Sequence, residues 1–278
     1  MAMAQALESV RAEQAAPLRL PRAADDFGFD REFTERLAPL ALWMYRSYWR
    51  VETEGVENVP GRGRALLVAN HAGVVPYDGA MIRTAIWAEH PTPRHARMLV
   101  VDWAFAMPFL SQLLQKTGNV LAHPDNATEL LQRDELVGVF PEGVKGAAKP
   151  FRDRYKVRRL GRGGFVQVAL RTGSPLVPVA VVGAEEIHPV ITELPSLAQL
   201  LRVPAVPLTP TFPLLGPAGL VPLPSKWLIS FGEPISTADL GPDAAADPAA
   251  VQELSERIRS WIQDKIAELL PRRKSPFH

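Results

Sequence analysis

The sequence of 278 residues contains no cysteine. Disulfide bonds, a thiolate nucleophile and cysteine-ligated zinc are therefore excluded. A Gly-x-Ser-x-Gly pentapeptide, which carries the nucleophilic serine of α/β hydrolases, is also missing. Any group transfer by this chain is therefore expected to proceed without a covalent intermediate on a cysteine or on such a serine.

Excess charge of one sign is missing too. The 31 basic and 30 acidic residues give a net charge of +1. Proteins that bind nucleic acid are usually strongly basic, so we expect no nucleic-acid partner. Residues 1–26 are rich in alanine, arginine and proline and lack an apolar core, which predicts a mobile tail rather than a secretory signal. We predict one domain over residues 27–278.

A long uncharged helix is the third absence. Residues 203–225 contain no charged side chain over 23 positions, which is long enough to cross a bilayer. Seven prolines interrupt this stretch. Each interior proline removes an N–H donor and costs a helix about 3 kcal/mol. We therefore predict an extended apolar loop that packs on the domain or dips into a membrane surface.

What the sequence does contain is a regular alternation of short apolar runs and helical patterns between residues 65 and 235. The runs that predict strands are 65–69, 96–102, 118–122, 135–140, 176–183 and 226–235, and a further strand is expected near 51–56. A closing amphipathic helix is expected over 248–270. This pattern predicts an α/β fold: a single domain with a mixed, mostly parallel sheet flanked by helices.

An aromatic stripe precedes the first of these strands. Residues 37–49 carry apolar and aromatic side chains at helical spacing, with Arg46 and Arg50 beside them. The stripe predicts a helix packed on the core. The alternative is an interfacial helix that rests on a bilayer, because aromatic and arginine side chains favour that zone.

A polar pair follows the apolar run 65–69. His71 stands at the predicted end of the strand, and Asp78 stands where the next helix begins, a favoured capping position. Sites in open α/β sheets form at the carboxyl ends of strands, so the two side chains are expected to meet. A neutral imidazole oriented by a carboxylate suits general-base catalysis. The local pattern is equally compatible with a structural histidine and a simple helix cap.

Two segments together resemble the lysophospholipid/glycerolipid acyltransferase superfamily: NHAGVVPYDG at 70–79 is similar to its first block and FPEG at 140–143 to its third. The resemblance covers roughly residues 50–235, through GNVLAHPDNATELL and LVPVAVVGAEE. The common first block has four residues between histidine and aspartate. Here six intervene, as in a subgroup that resembles monoacylglycerol and diacylglycerol acyltransferase-like proteins.

The resemblance implies a cytoplasmic, peripheral membrane enzyme. It would move a fatty acyl group from acyl-CoA or acyl carrier protein to a hydroxyl of a glycerolipid or lysophospholipid, and it implies no further cofactor. His71 would be the general base, Asp78 would orient it, and Glu142 and Gly143 would help to bind the acceptor. The apolar loop 203–225 could then also form a wall of the acyl groove. The alternative is a lipid-binding protein that keeps the fold without turnover.

Two features bear on a phosphate-bearing substrate. His123 stands where the family often has an arginine that contacts the acceptor phosphate, and a histidine is the poorer phosphate ligand; it is equally compatible with a turn residue of no function. Residues 145–162 hold eight basic side chains and one acidic one, which is usually a solvated loop. Because this run follows FPEG, we assign Lys145, Arg152 and Arg154 to phosphate binding and expect Arg158, Arg159 and Arg162 to face lipid or solvent.

A last cluster of polar residues follows the apolar run 176–183. Glu185, Glu186 and His188 include potential metal ligands. Their spacing matches no specific metal-binding motif, so we predict no metal site.

Overall fold

The computed structural model describes residues 24–71, 77–107, 109–147, 149–194, 198–199 and 206–277. The predicted tail therefore lies outside the described residues except for its last three positions. A seven-stranded sheet has the strand order β1-β9-β6-β2-β5-β3-β4. Its strands are β1 (Glu52–Glu54), β2 (Ala65–Ala69), β3 (Ala96–Val100), β4 (Val120–Leu121), β5 (Leu136–Val139), β6 (Leu176–Val182) and β9 (Leu228–Phe231). Strands β7 (Thr192–Glu193) and β8 (Pro207–Leu208) form a separate antiparallel pair.

The sheet is mixed and mostly parallel, which confirms the predicted fold class. Strands β6, β2, β5, β3 and β4 run parallel to one another. Strand β9 pairs antiparallel with β6, and β1 follows the direction of β9. The carboxyl ends of β2, β5 and β6 therefore share one side of the molecule with the amino ends of β9 and β1, and we call it the site edge. All five residues of β2 are buried, as expected for a parallel strand covered on both faces.

Helices cover both faces of the sheet. They are α1 (Arg31–Trp43), α2 (Tyr77–Glu89), α3 (Asp102–Phe105), α4 (Leu110–Lys116), α5 (Pro124–Gln132), α6 (Gly143–Ala147), α7 (Gly164–Thr172) and α8 (Pro248–Leu269). The apolar sides of α5, α7 and α8 form one core layer. On the other face, α2 packs beside Tyr45, Trp49 and Trp227, and the two tryptophan rings stack with their centroids 4.7 Å apart.

Two predicted helices differ from the sequence patterns. The apolar pattern of residues 103–116 predicts a single helix, but the structure divides this stretch into α3 and α4. Phe109, between them, adopts a left-handed conformation with φ of 64°, which an L-residue cannot repeat along a helix. The aromatic stripe is buried only beyond the end of α1. Tyr45 and Trp49 are buried, whereas Leu40 and Trp43 of α1 are 57% and 52% exposed.

The proline-rich loop is described from residue 206 onward. It contains β8 and a short 3₁₀ turn over Gly216–Leu220. Tyr48 Oη donates to the carbonyl of Pro222 at 2.6 Å, and Trp49 Nε1 donates to that of Leu223 at 3.1 Å. The loop thus lies against the aromatic turn that follows α1. In the part of the chain that the structure describes, no helix combines the length and apolar character needed to cross a bilayer.

Candidate active site

The position of His71 is fixed by the residue before it. The side chain of Asn70 is buried, and it pairs with the backbone of Val181 in β6. Its Nδ2 donates to the Val181 carbonyl at 3.0 Å, and its Oδ1 accepts from the Val181 N–H at 2.8 Å. This double hydrogen bond ties the end of β2 to its neighbour, so His71 leaves the sheet in a defined direction.

Asp78, near the start of α2, meets His71, which follows β2. The carboxylate is completely buried, and its Oδ2 lies 2.8 Å from His71 Nδ1. The described helix begins at Tyr77, so Asp78 lies in its first turn rather than at the capping position. There its Oδ1 accepts from the N–H of Gly79 at 2.8 Å. The positive end of the helix dipole favours a carboxylate at this place.

Because Nδ1 faces Asp78, the nitrogen of His71 that can act as a base is Nε2. An ionised Asp78 only accepts hydrogen bonds, so Nδ1 carries the imidazole proton and Nε2 keeps its lone pair. The ring stacks on Phe140, with centroids 4.5 Å apart, and the side chain remains 15% exposed. The structure brings the two side chains together as the sequence predicted. Their catalytic roles stay a prediction.

The turn that holds Glu142 depends on two glycines. Gly143 has a φ of 61°, in the left-handed region that glycine adopts without strain. Its N–H donates to the carbonyl of Phe140 at 3.0 Å and closes the turn. A side-chain carbon at Gly146 would lie only 2.4 Å from Glu142 Cβ. The absence of that carbon leaves room for the Glu142 side chain to fold inward.

The buried carboxylate of Glu142 joins three parts of the chain. Its Oε1 accepts from the backbone N–H of His71 at 3.0 Å. Its Oε2 accepts from the backbone N–H of Arg158 at 2.8 Å and from Lys149 Nζ at 3.3 Å. Glu142 therefore holds the backbone of the proposed base. Its contact with an acceptor hydroxyl stays a prediction.

Lys149 balances the negative charge at this point. Besides Glu142, its ammonium lies 3.0 Å from Glu185 Oε1 and donates to the carbonyl of Lys156 at 3.1 Å. Burial raises the pKa of Glu185, and the adjacent Lys149 only partly offsets this. Sequence analysis missed the role of Lys149, because nothing in its spacing distinguishes it from the other cations of the run.

The residues assigned to phosphate lie in different surroundings. The Arg154 guanidinium packs 4.2 Å from the centre of the Phe151 ring and donates to the Phe151 carbonyl at 3.1 Å. Arg152 is 85% exposed, with its Nε 3.9 Å from Asp153 Oδ2. Lys145 lies in α6. Phosphate binding by these three residues stays a prediction.

His123 is not brought to the His71–Asp78 pair. It lies beyond β4, and both β5 and β3 separate that strand from β2. Its Nδ1 accepts from the N–H of Asp125 at 3.3 Å, so it caps α5. The side chain borders an apolar cavity of about 210 Å³ between the sheet and α7, lined among others by Leu66, Val139 and Phe165. Contact between His123 and an acceptor stays a prediction.

The polar cluster after β6 is held by protein contacts. Glu186 accepts hydrogen bonds from the hydroxyl of Tyr155 and from the guanidinium of Arg273. Glu185 forms an ion pair with Lys149 through Oε1, and its Oε2 accepts from the N–H of Tyr155. Among the described residues, no three histidine, aspartate or glutamate side chains gather as a metal site would require.

Comparison with known proteins finds a matching family model and several relatives of this chain. The family model "Acyltransferase" matches residues 50–182. An uncharacterised protein of Mycobacterium tuberculosis is 48% identical over 256 residues, which cover 92% of this chain and 72% of that protein. A Bos taurus protein described as a DGAT1/2-independent enzyme synthesizing storage lipids is 28% identical over 128 residues, or 46% of this chain and 37% of its own length.

The fold has a counterpart among solved structures. The chain is similar to the 1-acyl-sn-glycerophosphate acyltransferase PlsC of Thermotoga maritima, with a TM-score of 0.58 at 18% sequence identity. The match covers 88% of this chain and 81% of that one. At this identity the likeness establishes the architecture but not the roles of the site residues.

Proposed function

Because the chain belongs to the lysophospholipid/glycerolipid acyltransferase superfamily, we propose that it transfers a fatty acyl group from acyl-CoA or acyl carrier protein to a hydroxyl of a glycerolipid or lysophospholipid. One observation carries this proposal. The buried Asp78 carboxylate lies 2.8 Å from His71 Nδ1, at the end of a central parallel strand. That contact leaves Nε2 as a base on a partly exposed ring.

In the proposed reaction, His71 Nε2 accepts the proton of the acceptor hydroxyl as its oxygen attacks the thioester carbonyl carbon. The buried charge of Asp78 stabilises the imidazolium that forms. Collapse of the tetrahedral intermediate breaks the carbon–sulfur bond, and the imidazolium returns the proton to the leaving thiolate. The products are an oxygen ester and a free thiol, and no acyl-enzyme is needed.

The apolar cavity between the sheet and α7 is a candidate site for part of the acyl chain. Its lining is almost entirely aliphatic and aromatic, and Val139 on its wall directly precedes Phe140, the residue that stacks on His71. Burial of each methylene group there would contribute about 0.8 kcal/mol to binding.

We further propose that the site edge contacts a membrane. Four strongly exposed apolar side chains lie in segments that follow β3 and β6 or precede β9: Phe109, Ile191, Leu214 and Leu215, with exposures of 87%, 60%, 83% and 56%. A surface of this kind would place a lipid acceptor next to His71. The protein would then be attached to the membrane peripherally.

The decisive experiment measures release of free CoA from a long-chain acyl-CoA by the purified chain. The acceptors tested should include a monoacylglycerol, a lysophosphatidate and other lysophospholipids, and product ester should be identified by mass spectrometry. We expect CoA release that depends on one class of acceptor. Absence of release from acyl-CoA, and of transfer from acyl carrier protein, with every acceptor would contradict the proposal and favour a lipid-binding protein.

A further inference from the structure

The basic segment 149–162 is held in place by the core. Val157 and Leu160 are buried, at 8% and 1% exposure. Gln263 of α8 accepts from the N–H of Val157 at 2.8 Å and donates to the carbonyl of Tyr155 at 3.0 Å. Buried Lys149 fixes the start of the segment. The backbone is therefore defined on both sides of the exposed arginines.

This backbone returns to the candidate active site at Arg158, although Arg158 lies 16 residues beyond Glu142 in sequence. The same carboxylate that accepts from His71 N–H also accepts from Arg158 N–H. A side-chain carbon at Gly161 would lie 3.3 Å from the carbonyl oxygen of Pro141, so the chain continues beside the same turn. Arg158 and Arg159 thus begin next to the proposed base.

Of the other charged side chains of the segment, all but that of the exposed Arg162 are already engaged. Lys149 is paired with Glu142 and Glu185. Asp153 lies 3.1 Å from Lys156 Nζ and 3.9 Å from Arg152 Nε, and Arg154 packs on Phe151.

Arg158 and Arg159 differ from these cations. Both are exposed, and within the described ranges their side chains make neither a hydrogen bond nor a salt bridge. Apart from a charge interaction between Arg158 and Asp153, these two cations lack an anionic partner within the described ranges, and they lie beside the site.

We propose that Arg158 and Arg159 bind a phosphate group of a substrate of this site, carried by CoA or by a phosphorylated acceptor; this assignment rests on the proposed function. Arginine suits the role, because its planar guanidinium can donate two parallel hydrogen bonds to phosphate oxygens. The assignment differs from the one based on sequence distance, which placed phosphate at Lys145, Arg152 and Arg154. The backbone contact with Glu142 brings Arg158 to the site in spite of its distance along the chain.

The test replaces both residues in the full chain, as R158Q/R159Q. Glutamine keeps the backbone N–H of residue 158, so the bond to Glu142 is retained and only the guanidinium groups are lost. The pair Arg62→Gln and Arg171→Gln removes the same charge from exposed positions that precede β2 and β6, at the opposite edge of the sheet, and is the matched control. Melting temperatures of both variants should stay at the wild-type value, since all four side chains are exposed.

Two measurements separate the sources of phosphate. Calorimetric titration with CoA measures binding of the donor phosphates. KM values for lysophosphatidate and for uncharged monoacylglycerol, in detergent, show whether the acceptor phosphate is bound. We expect R158Q/R159Q to weaken CoA binding, or to raise KM for lysophosphatidate alone, by about tenfold or more, as loss of a charge-assisted hydrogen bond predicts. The control pair should change these constants less than twofold.

Failure of the phosphate site and failure of the proposed function give different results. If wild type transfers no acyl group but R158Q/R159Q binds CoA or lysophosphatidate more weakly than wild type, the phosphate site stands and the proposed function falls. If wild type is active and only the control pair changes these constants, or neither pair does, the phosphate site is overturned. Wild type that binds neither CoA nor lysophosphatidate also overturns it.

Discussion

Asp78 decides how His71 can act, because a buried carboxylate fixes both the orientation and the tautomer of the ring. Its second oxygen is held by the N–H of Gly79. Asp102 provides an internal comparison: it also lies in the first turn of a helix and accepts from the N–H of the next residue at 2.8 Å, but it is exposed. Burial and the contact with His71 therefore distinguish Asp78 from Asp102.

Replacement of His71 by alanine should lower turnover by about 10²–10⁴-fold, the usual contribution of a positioned base. Asp78→Asn should also lose much of the rate, because an amide cannot stabilise the imidazolium as a carboxylate does. Both are measured as initial rates of CoA release, together with melting temperatures that show intact folding.

Asp102→Asn is the matched control and should keep wild-type turnover. Since Asp78→Asn also alters the first turn of α2, its loss of rate is informative only where the melting temperature is preserved. Wild-type turnover in a folded His71→Ala protein would refute the mechanism.

At the scale of elements, the proline-rich loop and α1 combine fixed backbones with exposed apolar side chains. Trp227, which follows the loop in sequence, is completely buried and stacks on Trp49, so its fluorescence cannot report contact of the loop with lipid. Trp43 is half exposed and lies against Tyr48, whose hydroxyl binds the loop at Pro222. A chain that keeps Trp43 as its single tryptophan is the better probe.

The double substitution L214D/L215D should weaken binding to liposomes of mixed zwitterionic and anionic lipid by tenfold or more. Full burial of one leucine contributes about 1.5–3 kcal/mol, and a charge in its place opposes insertion. Sedimentation with liposomes measures the effect. Leu240→Asp is the control, because Leu240 is also exposed, at 49%, but lies at the opposite edge of the sheet. Its position follows from Thr237, three residues earlier, whose hydroxyl donates to the carbonyl of Ser174 beside the amino end of β6. Equal loss in both variants would contradict docking through the loop.

At the scale of the whole molecule, folding stability should depend on His95, beside the amino end of β3. Burial, together with the positive charges of Arg83, Arg31 and Arg97, lowers the pKa of His95 to about 4. In the unfolded chain this pKa is 6.5, so between pH 6.5 and 4 the unfolded state binds the proton and the folded state does not. Stability contributed by neutral His95 is therefore fully present above pH 6.5 and lost as the pH falls through that window.

Urea unfolding at pH 7.5, 6 and 5 checks this expectation. The free energy of unfolding should fall more steeply with decreasing pH in wild type than in His95→Gln. The ring contact with Phe29, at 5.1 Å between centroids, is lost in the variant at every pH and therefore does not affect the slope. Parallel pH profiles for the two proteins would show that His95 does not titrate as described.

The sequence by itself determined the α/β architecture and the meeting of His71 with Asp78. Six residues separate the two, within one strand–turn–helix unit, so local chain geometry is enough to join them. Hydrophobic periodicity likewise specified the central strands, because it records which side chains are buried. It did not specify that Trp43 is exposed while Tyr45 is buried, since the packing partners of a helix are not written in its own pattern.

Only the tertiary structure decided which residues surround His71 and Asp78. The order β5-β2-β6 brings Glu142, Lys149 and Glu185 together from two strand ends and the segment between them. The sequence alone does not distinguish a buried lysine from a solvated one. Nor does it distinguish an arginine that contacts its neighbours from one that lies beside the site without such contacts. What separates them is the set of acceptors that reaches each cation, and that set exists only once distant segments have packed.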